Sequence, residues 1–249
     1  MTGGIEVRPV AGVGEVREGD RLGDLLVGAA ALQDEDVLVV SQKIVSKAEG
    51  RIRRLAEVEP EDRARELAIE LDKDPALVQL VLEESRSVVR ARAGVLITET
   101  RSGWICANAG IDASNVPGED TVTLLPLDPD ASARRIRSEI RSAARQAPAV
   151  VISDSFGRPW RLGQLDVAIG CAGLAPLDDW RGRGDRSGRR LAATVVALAD
   201  EAAAAADLVK IKDAGVPAAI VRGLGDRVTE ADGPGAAAIQ RPSPEDLFR

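Results

Sequence analysis

The sequence of 249 residues contains no histidine and no tyrosine, and it has only two cysteines. The lack of histidine excludes acid–base catalysis by imidazole, a Ser-His or Cys-His nucleophile, and imidazole metal ligands. Two cysteines alone cannot complete a structural zinc site. Carboxylates, hydroxyls, amides and basic side chains remain, and these groups suit Mg²⁺ or Mn²⁺ and the polyphosphates that such ions accompany. If the chain is an enzyme, metal-assisted phosphoryl or acyl transfer is therefore favoured.

Long apolar runs are also missing, so we expect no membrane span. The first six residues lack the basic and apolar parts of a signal peptide, which favours a cytoplasmic protein. A formal net charge of −7 argues against a nucleic-acid partner. Cys106 and Cys171 both have apolar neighbours, so we expect buried thiols rather than a disulfide. The composition, 45% hydrophobic and 29% charged, predicts a globular chain of one large domain or two small ones.

Lysine is scarce in this chain, with five lysines among 33 basic residues. Lys43 and Lys47 follow a predicted buried strand, Asp36–Val40, and Lys210 and Lys212 lie near a later apolar segment. Residues four apart share a helix face, so Lys43 and Lys47 would present two compact charges suited to phosphate. Solvated lysines on a surface turn are the alternative.

The stretch 150–170 carries the densest set of reactive groups. Residues 149–152 predict a buried strand. The polar residues Ser153-Asp154-Ser155 follow it, and then a turn at Gly157 and Pro159 that carries Arg158 and Arg161. Val167–Ile169 predicts the returning strand. A carboxylate, two hydroxyls and two guanidinium groups just past a strand are typical of phosphate and divalent-metal sites. An ordinary polar turn between two strands is equally compatible with this stretch.

Two further turns offer polar groups. Residues 107–116 lead from a short strand into a turn that contains Asp112 and Asn115, a metal-type carboxylate and an amide. Asn and Asp are also common turn formers, so a plain turn is a fair alternative. Near the N-terminus, residues 11–15 hold two glycines two apart. They do not form a dinucleotide-binding fingerprint, and glycine spacing alone is a weak signal.

The remaining pattern predicts several helices. Residues 60–71 and 75–85 read as a helix pair, with Asp74 as N-cap ahead of Pro75. Asp130 is predicted to cap a helix through Gln146 whose five arginines (134, 135, 137, 141 and 145) face solvent. Residues 191–206 predict an alanine-rich helix, and two apolar segments, 208–212 and 218–221, flank residues 213–217. The cationic loop 178–190 is either a clamp for an anionic substrate or plain surface.

Five stretches in order along the chain resemble the coenzyme F-420 gamma-glutamyl ligase family. They are S-Q-K-I-V-S-K-A-E-G-R at 41–51, A-N-A-G-I-D-A-S-N-V at 107–116, S-D-S-F-G-R-P-W-R-L-G-Q at 153–164, D-V-A-I-G at 166–170 and V-P-A-A-I-V-R-G-L at 216–224. The resemblance implies an α+β fold of mixed sheets and packed helices, with two intimately packed subdomains in one ligase domain spanning 1–249. Some members carry a further nitroreductase-like domain; these 249 residues do not include one, so the chain is a stand-alone ligase or the ligase part of a longer protein.

The resemblance also implies an activity. Members join L-glutamate to the carboxylate of the phospholactyl arm of F-420-0, or of its dehydro form, with GTP as co-substrate and Mg²⁺ or Mn²⁺ as cofactor. K⁺ is a further cation to consider, and some members add more glutamates by gamma linkage. The expected protein is a cytoplasmic homodimer that binds small molecules only.

Carried over residue by residue, the resemblance assigns two sets. The metal set is Asp112, Asp154 and Ser155, and the GTP set is Val13, Gly14, Glu15, Val16, Gln42, Lys43, Lys47 and Asn115. Ile211 and Lys212 depart from the glycine and the following Gln or Lys that members often carry, which argues against a second metal ligated there. No general base is identified. A ligase for another carboxylate acceptor and a non-catalytic F-420 carrier are the alternatives.

Overall fold

The structure, a computed structural model, describes residues 4–114, 118, 120–211 and 213–247. Strands β1 to β12 span Glu6–Val10, Val37–Ser41, Ile52–Arg54, Ser85–Arg92, Val95–Thr100, Ile105–Ala107, Thr121–Thr123, Ala149–Arg158, Arg161–Ala172, Asp178–Asp179, Val195–Val196 and Ala218–Arg222. Helices α1 to α6 span Leu22–Ala29, Gln42–Ala48, Asp62–Leu71, Pro75–Glu83, Pro129–Ala144 and Leu198–Asp207. Short 3-10 turns lie at Leu55–Glu57, Asn108–Gly110, Gly225–Arg227, Ala236–Ile239 and Ser243–Glu245.

A five-stranded mixed sheet in the order β1-β12-β2-β8-β9 forms the centre of the molecule. Its β2 and β8 strands run parallel, with Val37 opposite Ala149 and Ser41 opposite Ser153, and the other pairs are antiparallel. Because parallel strands end at the same edge of a sheet, the residues that follow Ser41 and Ser153 meet there. That edge carries the candidate site.

The central strand β2 is buried on both faces. Leu38 and Val40 pack into the core beneath α1 and α5, whereas Val37 and Val39 pack into the core beneath α6. All four are fully buried, and each such side chain contributes about 1.5–3 kcal/mol of hydrophobic stabilisation. The core face of α6 is built from alanines, which let the helix approach the sheet closely.

A third core packs α3 and α4 against the three-stranded sheet β4-β5-β6. Arg51 connects this unit to the rest of the chain: its Nε donates to the carbonyl of Leu125 at 3.0 Å and its Nη2 to Glu84 at 2.6 Å. Mixed sheets with helices packed on them confirm the α+β fold class. Within the described residues, no helix has the length and apolar character needed to cross a membrane.

The helix pair α3–α4 and its N-cap are confirmed. Asp74 accepts hydrogen bonds from the N–H groups of Ala76 and Leu77, and Pro75 occupies the first turn. The predicted N-cap of α5 is wrong by two residues. Asp128 caps that helix through the N–H of Ala131 at 2.8 Å.

Asp130 instead connects α5 to β9 and to the C-terminal region. It accepts hydrogen bonds from the N–H groups of Cys171 at 2.8 Å and Ala236 at 2.7 Å, so its carboxylate replaces backbone partners that these groups lack. The prediction that all five α5 arginines are solvated is wrong for Arg137. Its guanidinium is buried and donates to the carbonyls of Ala147, Pro148, Thr229 and Glu230 and to Asp232.

The helix predicted over 191–206 is wrong in its first half, because α6 begins at Leu198. Residues 191–197 belong to an exposed hairpin formed by β10 and β11. Of the two apolar segments that flank 213–217, the second forms strand β12, whereas residues 208–211 form a turn and an irregular segment. Lys212 lies outside the described residues.

Candidate active-site cleft

A cleft of about 730 Å³ opens at the edge of the central sheet where β2 and β8 end. Its wall draws on five parts of the chain: the loop after β1, the start of α2, the segment after β6, the β8–β9 hairpin and the loop after α6. Among the residues that line the cleft are Gly14, Glu15, Val16, Lys43, Lys47, Cys106, Asn108, Asp112, Ser114, Ser153, Asp154, Ser155, Asp166 and Lys210.

Ser153-Asp154-Ser155 follow the buried run as predicted, and they continue strand β8 beyond the core. The predicted turn around Gly157 and Pro159 is found at Pro159 and Trp160, and the hairpin register shifts between Ile152 and Ser153. Such irregularities re-aim the side chains that follow them. Here the polar end of β8 is lifted into the cleft while its paired partner β9 supplies Asp166.

Asp112 and Asp154, far apart in sequence, both line the cleft. Asp112 accepts a hydrogen bond from the N–H of Ser114 at 2.7 Å and pairs with Lys43 at 2.9 Å. Burial favours the neutral form of Asp112, but the Lys43 and Ser114 contacts outweigh it and lower the pKa of this carboxyl. The two predicted metal carboxylates therefore share one cavity.

Asp154 has no ion-pair partner in the described part of the chain. Burial raises the pKa of its carboxyl to about 7, and the negative charges of Asp166 and Asp112 act in the same direction. A carboxylate that is partly desolvated and faces other acids becomes ionised more readily when a cation is near. Asp154 is thus the acid of this cleft that most needs a cation.

Ser155 is separated from Asp154 by the pleat of the strand. Ser153 and Ser155 both donate hydrogen bonds to Asp166, at 2.8 and 2.7 Å, which places them on one face of β8. Successive strand residues point to opposite faces, so Asp154 lies on the other face, towards Asp112. The predicted role of Ser155 as a metal ligand stays a prediction.

Among the described residues, three lysines line the cleft, and each is paired with a carboxylate there. The pairs are Lys43 with Asp112, Lys47 with Glu15 and Lys210 with Asp166. Lys43 and Lys47 lie on one face of helix α2, as their spacing predicts. Without a ligand the cleft therefore supplies its own counterions.

The predicted nucleotide residues occupy different depths. Gly14, Glu15 and Val16 line the cleft, whereas Val13 is buried in the core behind it. Gln42 is 1% exposed and faces the interior, where Ser46 donates to its Oε1 at 2.9 Å. No partner for the Gln42 side-chain N–H₂ occurs among the described residues. Asn115 lies outside the described residues, and its nucleotide role stays a prediction.

Two features of the wall were not predicted. Asn108 and Ala109 adopt left-handed backbone conformations with φ of 51° and 53°, which side-chain-bearing residues rarely do and which concentrate at functional sites. The Oδ1 of Asn108 is buried with no partner in the described structure. The second feature is Asp166, which was not predicted as a site residue. It is the one charged residue between Leu165 and Ala172, and a single acid in an apolar strand indicates a specific role.

Cys106 lies beside Asp154 but does not act as a nucleophile. Burial, reinforced by the charge of Asp154, raises the pKa of its thiol to about 12. Reactivity of cysteine depends on the thiolate, which is scarce at neutral pH under these conditions. Cys171 is buried in the same way, and both thiols are free, as predicted.

The cationic loop 178–190 does not line the cleft. Arg181 pairs with Asp179 and Arg183 with Asp178, and the guanidinium of Arg183 stacks over the Trp180 ring at 5.0 Å. These contacts hold the loop as an exposed hairpin. Its proposed role as a substrate clamp stays a prediction.

The donor set fits a hard divalent cation that keeps part of its solvent shell. No group of three or more acids or cysteines of metal-binding geometry occurs in the parts of the chain that the structure describes. Mg²⁺ typically takes one or two carboxylates and completes its shell with water and phosphate oxygens. Asp112 and Asp154 provide those two carboxylates.

Comparison with known proteins gives consistent matches over the chain. A family model described as F420-0:Gamma-glutamyl ligase matches residues 12–223. The chain is 50% identical over 225 residues to a coenzyme F420:L-glutamate ligase of Haloarcula marismortui, covering 88% of this chain and 87% of that protein. It is 44% identical over 247 residues to the protein of the same name from Methanopyrus kandleri, covering 98% of each. The protein of that name from Methanothermobacter thermautotrophicus is 44% identical over 252 residues, covering 99% of each.

Proposed function

Since the chain belongs to the F420-0:gamma-glutamyl ligase family, we propose that it joins L-glutamate to the phospholactyl carboxylate of coenzyme F-420-0 in coenzyme F-420 biosynthesis. The proposal includes GTP as co-substrate, Mg²⁺ or Mn²⁺ as cofactor, and a homodimer in the cytoplasm. The observation that carries it is the presence of Asp112 and Asp154 in one cleft with three lysines.

The chemistry requires activation of a carboxylate. A carboxylate is a poor electrophile towards an amine, so the γ-phosphoryl group of GTP is first transferred to the F-420-0 carboxylate, giving an acyl phosphate and GDP. The amine of L-glutamate then attacks the acyl carbon, an amide forms, and phosphate leaves. Because the phosphoryl group needs little covalent help, the protein contributes mainly positioning and charge stabilisation. With no imidazole in the chain, the amine proton goes to a carboxylate or to water.

Asp112 and Asp154 would hold the divalent cation, with Ser155 as the predicted third ligand at the same end of β8. When bound, Mg²⁺ or Mn²⁺ supplies positive charge to the phosphate oxygens. The raised pKa of Asp154 supports this assignment, because an ionised Asp154 needs a nearby positive charge. Lowering of the pKa of Asp112 keeps the second carboxylate ionised at neutral pH.

The ion pairs of the cleft support binding of cation and nucleotide together. Lys43 and Lys47 each hold a carboxylate that is itself partly solvated, with side-chain exposures of 37% for Asp112 and 62% for Glu15. When a polyphosphate binds the Lys43 ammonium, Asp112 loses its ion-pair partner. A divalent cation then pairs with Asp112 in place of Lys43. A cation alone would displace the Lys43 ammonium in the same way. The two ligands therefore favour each other's binding through one exchange of partners.

The direct test is incubation of the purified chain with F-420-0, L-glutamate, GTP and Mn²⁺, followed by mass spectrometry. We expect the deazaflavin to gain glutamate, with release of GDP and phosphate, and no product when Mn²⁺ is chelated. Replacing GTP with ATP measures the nucleotide preference, and the dehydro acceptor measures the choice of substrate.

Two outcomes would overturn the proposal. Deazaflavin binding without any GTP consumption indicates a carrier rather than a ligase. GTP consumption that depends on L-glutamate but leaves both deazaflavin forms unmodified indicates a ligase for a different carboxylate.

A further inference from the structure

We propose that Asp166 is a positioning residue: it holds the Lys210 ammonium as a fixed positive charge in the cleft and does not itself bind the divalent cation. The inference rests on the proposed function, since it assigns the second acid–lysine pair of the same site. It distinguishes three of the acids that line the cleft: Asp112 and Asp154 would bind the cation, and Asp166 would not.

Both carboxylate oxygens of Asp166 accept hydrogen bonds from protein groups. Its Oδ1 accepts the hydroxyl of Ser155 at 2.7 Å, and its Oδ2 accepts both the hydroxyl of Ser153 at 2.8 Å and the ammonium of Lys210. Only 4% of Asp166 is exposed. A carboxylate with three donors and a paired charge has little left to offer a cation.

Lys210 is held from two sides. Its ammonium donates to Asp166 and to the hydroxyl of Ser153 at 2.6 Å, and Ser153 donates in turn to Asp166. This closed triangle fixes the direction of a side chain that would otherwise be flexible. An ammonium has three protons, so one remains for a ligand in the cleft.

The Asp166–Lys210 pair differs from the other two pairs of the cleft in its burial. The side chains of Lys210 and Asp166 are 5% and 6% exposed, whereas the acids paired with Lys43 and Lys47 are far more solvated. Separating a buried pair leaves an uncompensated charge, so this pair stays together when ligands bind. Lys43 and Lys47 can change partners, but Lys210 is permanently anchored.

A purely structural role explains the pair less well. Buried ion pairs rarely stabilise a fold more than apolar side chains of the same size would. The pair also lines a cleft rather than a closed core. The backbone N–H of Lys210 donates to the Ala206 carbonyl of α6 at 3.1 Å, so Lys210 lies directly after the end of that helix. A fixed ammonium opposite the Asp112 and Asp154 face would contact phosphate oxygens of the nucleotide.

The test is a double-mutant cycle of Asp166→Asn and Lys210→Met, measured as the affinity for GDP with saturating Mn²⁺. Because loss of the positioning partner of an active-site group typically costs 10–100-fold, we expect each single variant to weaken GDP binding by about that factor. We expect the double variant to bind GDP no more weakly than Lys210→Met alone, since Asp166 acts only through Lys210. Mn²⁺ affinity of the nucleotide-free Asp166→Asn variant should stay within about 3-fold of wild type.

Three controls separate positioning from folding. Asp36→Asn removes one acid of a buried pair with Arg222 at the opposite end of β2, so it should lower the melting temperature without changing GDP or Mn²⁺ affinity. Lys210→Arg keeps the charge and should recover part of the GDP affinity lost in Lys210→Met. If Asp166→Asn does not fold, Ser153→Ala opens the same triangle more gently and should weaken GDP binding several-fold.

The outcomes are distinguishable. Loss of Mn²⁺ binding by Asp166→Asn, as for a metal ligand, overturns the inference, and so do additive effects or unchanged GDP affinity in folded variants. If the wild-type chain binds neither Mn²⁺ nor GDP, the proposed function fails and the inference fails with it. If the wild-type chain binds Mn²⁺ and GDP but the effects of Asp166→Asn and Lys210→Met on GDP affinity are additive, the inference fails and the proposed function stands.

Discussion

Asp154 is the residue on which the cleft's response to pH depends. The pKa of its carboxyl rises from 3.8 to about 7 in the folded chain, chiefly because of burial. A carboxyl with a higher pKa in the folded than in the unfolded chain favours folding when protonated. The metal-free protein should therefore lose stability as the pH rises from about 4 to 8.

We predict that Asp154→Asn abolishes ligation yet makes the metal-free protein more stable at pH 8, by roughly 1–3 kcal/mol, because the amide carries no charge to desolvate. Thermal melts of wild type and variant at pH 5 and pH 8 test this. The difference should be small at pH 5. A variant that retains wild-type turnover would remove Asp154 from the mechanism.

A cation should reverse the pH effect. If Mn²⁺ binds the ionised form of Asp154 as proposed, it should raise the melting temperature of the wild-type chain more at pH 8 than at pH 6. The Asp154→Asn variant should show little stabilisation at either pH. Equal stabilisation of both proteins would place the cation elsewhere.

The two lysines of α2 carry a separate prediction. Lys43→Met and Lys47→Met should each raise the KM for GTP about 10-fold or more, because a charge-assisted hydrogen bond is worth about 1.5–3 kcal/mol. Lys73→Met is the matched control, since Lys73 does not line the cleft. Steady-state kinetics with GTP as the varied substrate provide the measurement. A KM for GTP that Lys43→Met and Lys73→Met change equally would count against the assignment.

The local signals at this scale were partly readable in the sequence. Scarcity of lysine singled out Lys43 and Lys47, and polar residues after apolar runs singled out Asp112 and Asp154. Asp166 was missed because its role depends on the cross-strand partner Ser155. The sequence does not reveal which residues of β8 and β9 lie opposite each other. Asn108 was missed because left-handed backbone at a non-glycine residue leaves no compositional trace.

At the scale of elements, capping divides what can be predicted from what cannot. Asp74 before Pro75 is a local signal, and the α4 cap is confirmed. Asp128 directly precedes α5 and Asp130 lies in its first turn, so the sequence alone does not tell which of them is the cap. Only the positions of β9 and of the 236–239 turn show that Asp130 accepts hydrogen bonds from those segments instead. Arg137 has the same sequence character as its solvated neighbours. It is buried because carbonyls of the segment after α5 and of the distant residues 229–230 converge on its guanidinium.

The cap of α4 allows a quantitative test. Asp74→Ala leaves the N–H groups of Ala76 and Leu77 without their acceptor and should cost about 1 kcal/mol. For a chain of this size that corresponds to roughly 2–4 °C in melting temperature, measured by calorimetry. Ligase activity at low temperature should not change, because α4 does not line the cleft. A loss of activity without a loss of stability would contradict this separation.

Across the whole molecule, the active-site cleft depends on topology that no local pattern contains. The strands β2 and β8 were both predicted, but their parallel pairing brings Lys43 and Asp154 to one edge. The α6 helix was predicted too long because alanine favours helix in any context, while residues 191–197 are held instead by pairing with β10. Family resemblance supplied the correct fold class where spacing alone could not.

The proposed homodimer is tested at the same scale. Trp160 and Leu162 are 82% and 98% exposed at the tip of the β8–β9 hairpin, so we take this tip as the contact with a second copy that the test probes. Light scattering should give twice the chain mass of 26.2 kDa for the wild type and a smaller mass for Leu162→Asp. Leu208→Asp, at an exposed turn after α6, is the control. A wild-type mass of one chain would refute the homodimer.

Each cleft lysine that the structure describes already has an acidic partner, and the described lining holds more acids than lysines. An arriving nucleotide therefore meets a surface with no excess of positive charge. Few mobile ions need to leave when it docks. Its affinity should therefore depend only weakly on added potassium chloride, unlike that of proteins which collect phosphates with bare arginines and lysines. A steep decline in GDP affinity between 50 mM and 200 mM salt would contradict this. It would mean that the cleft lysines are no longer paired with acids when the nucleotide binds.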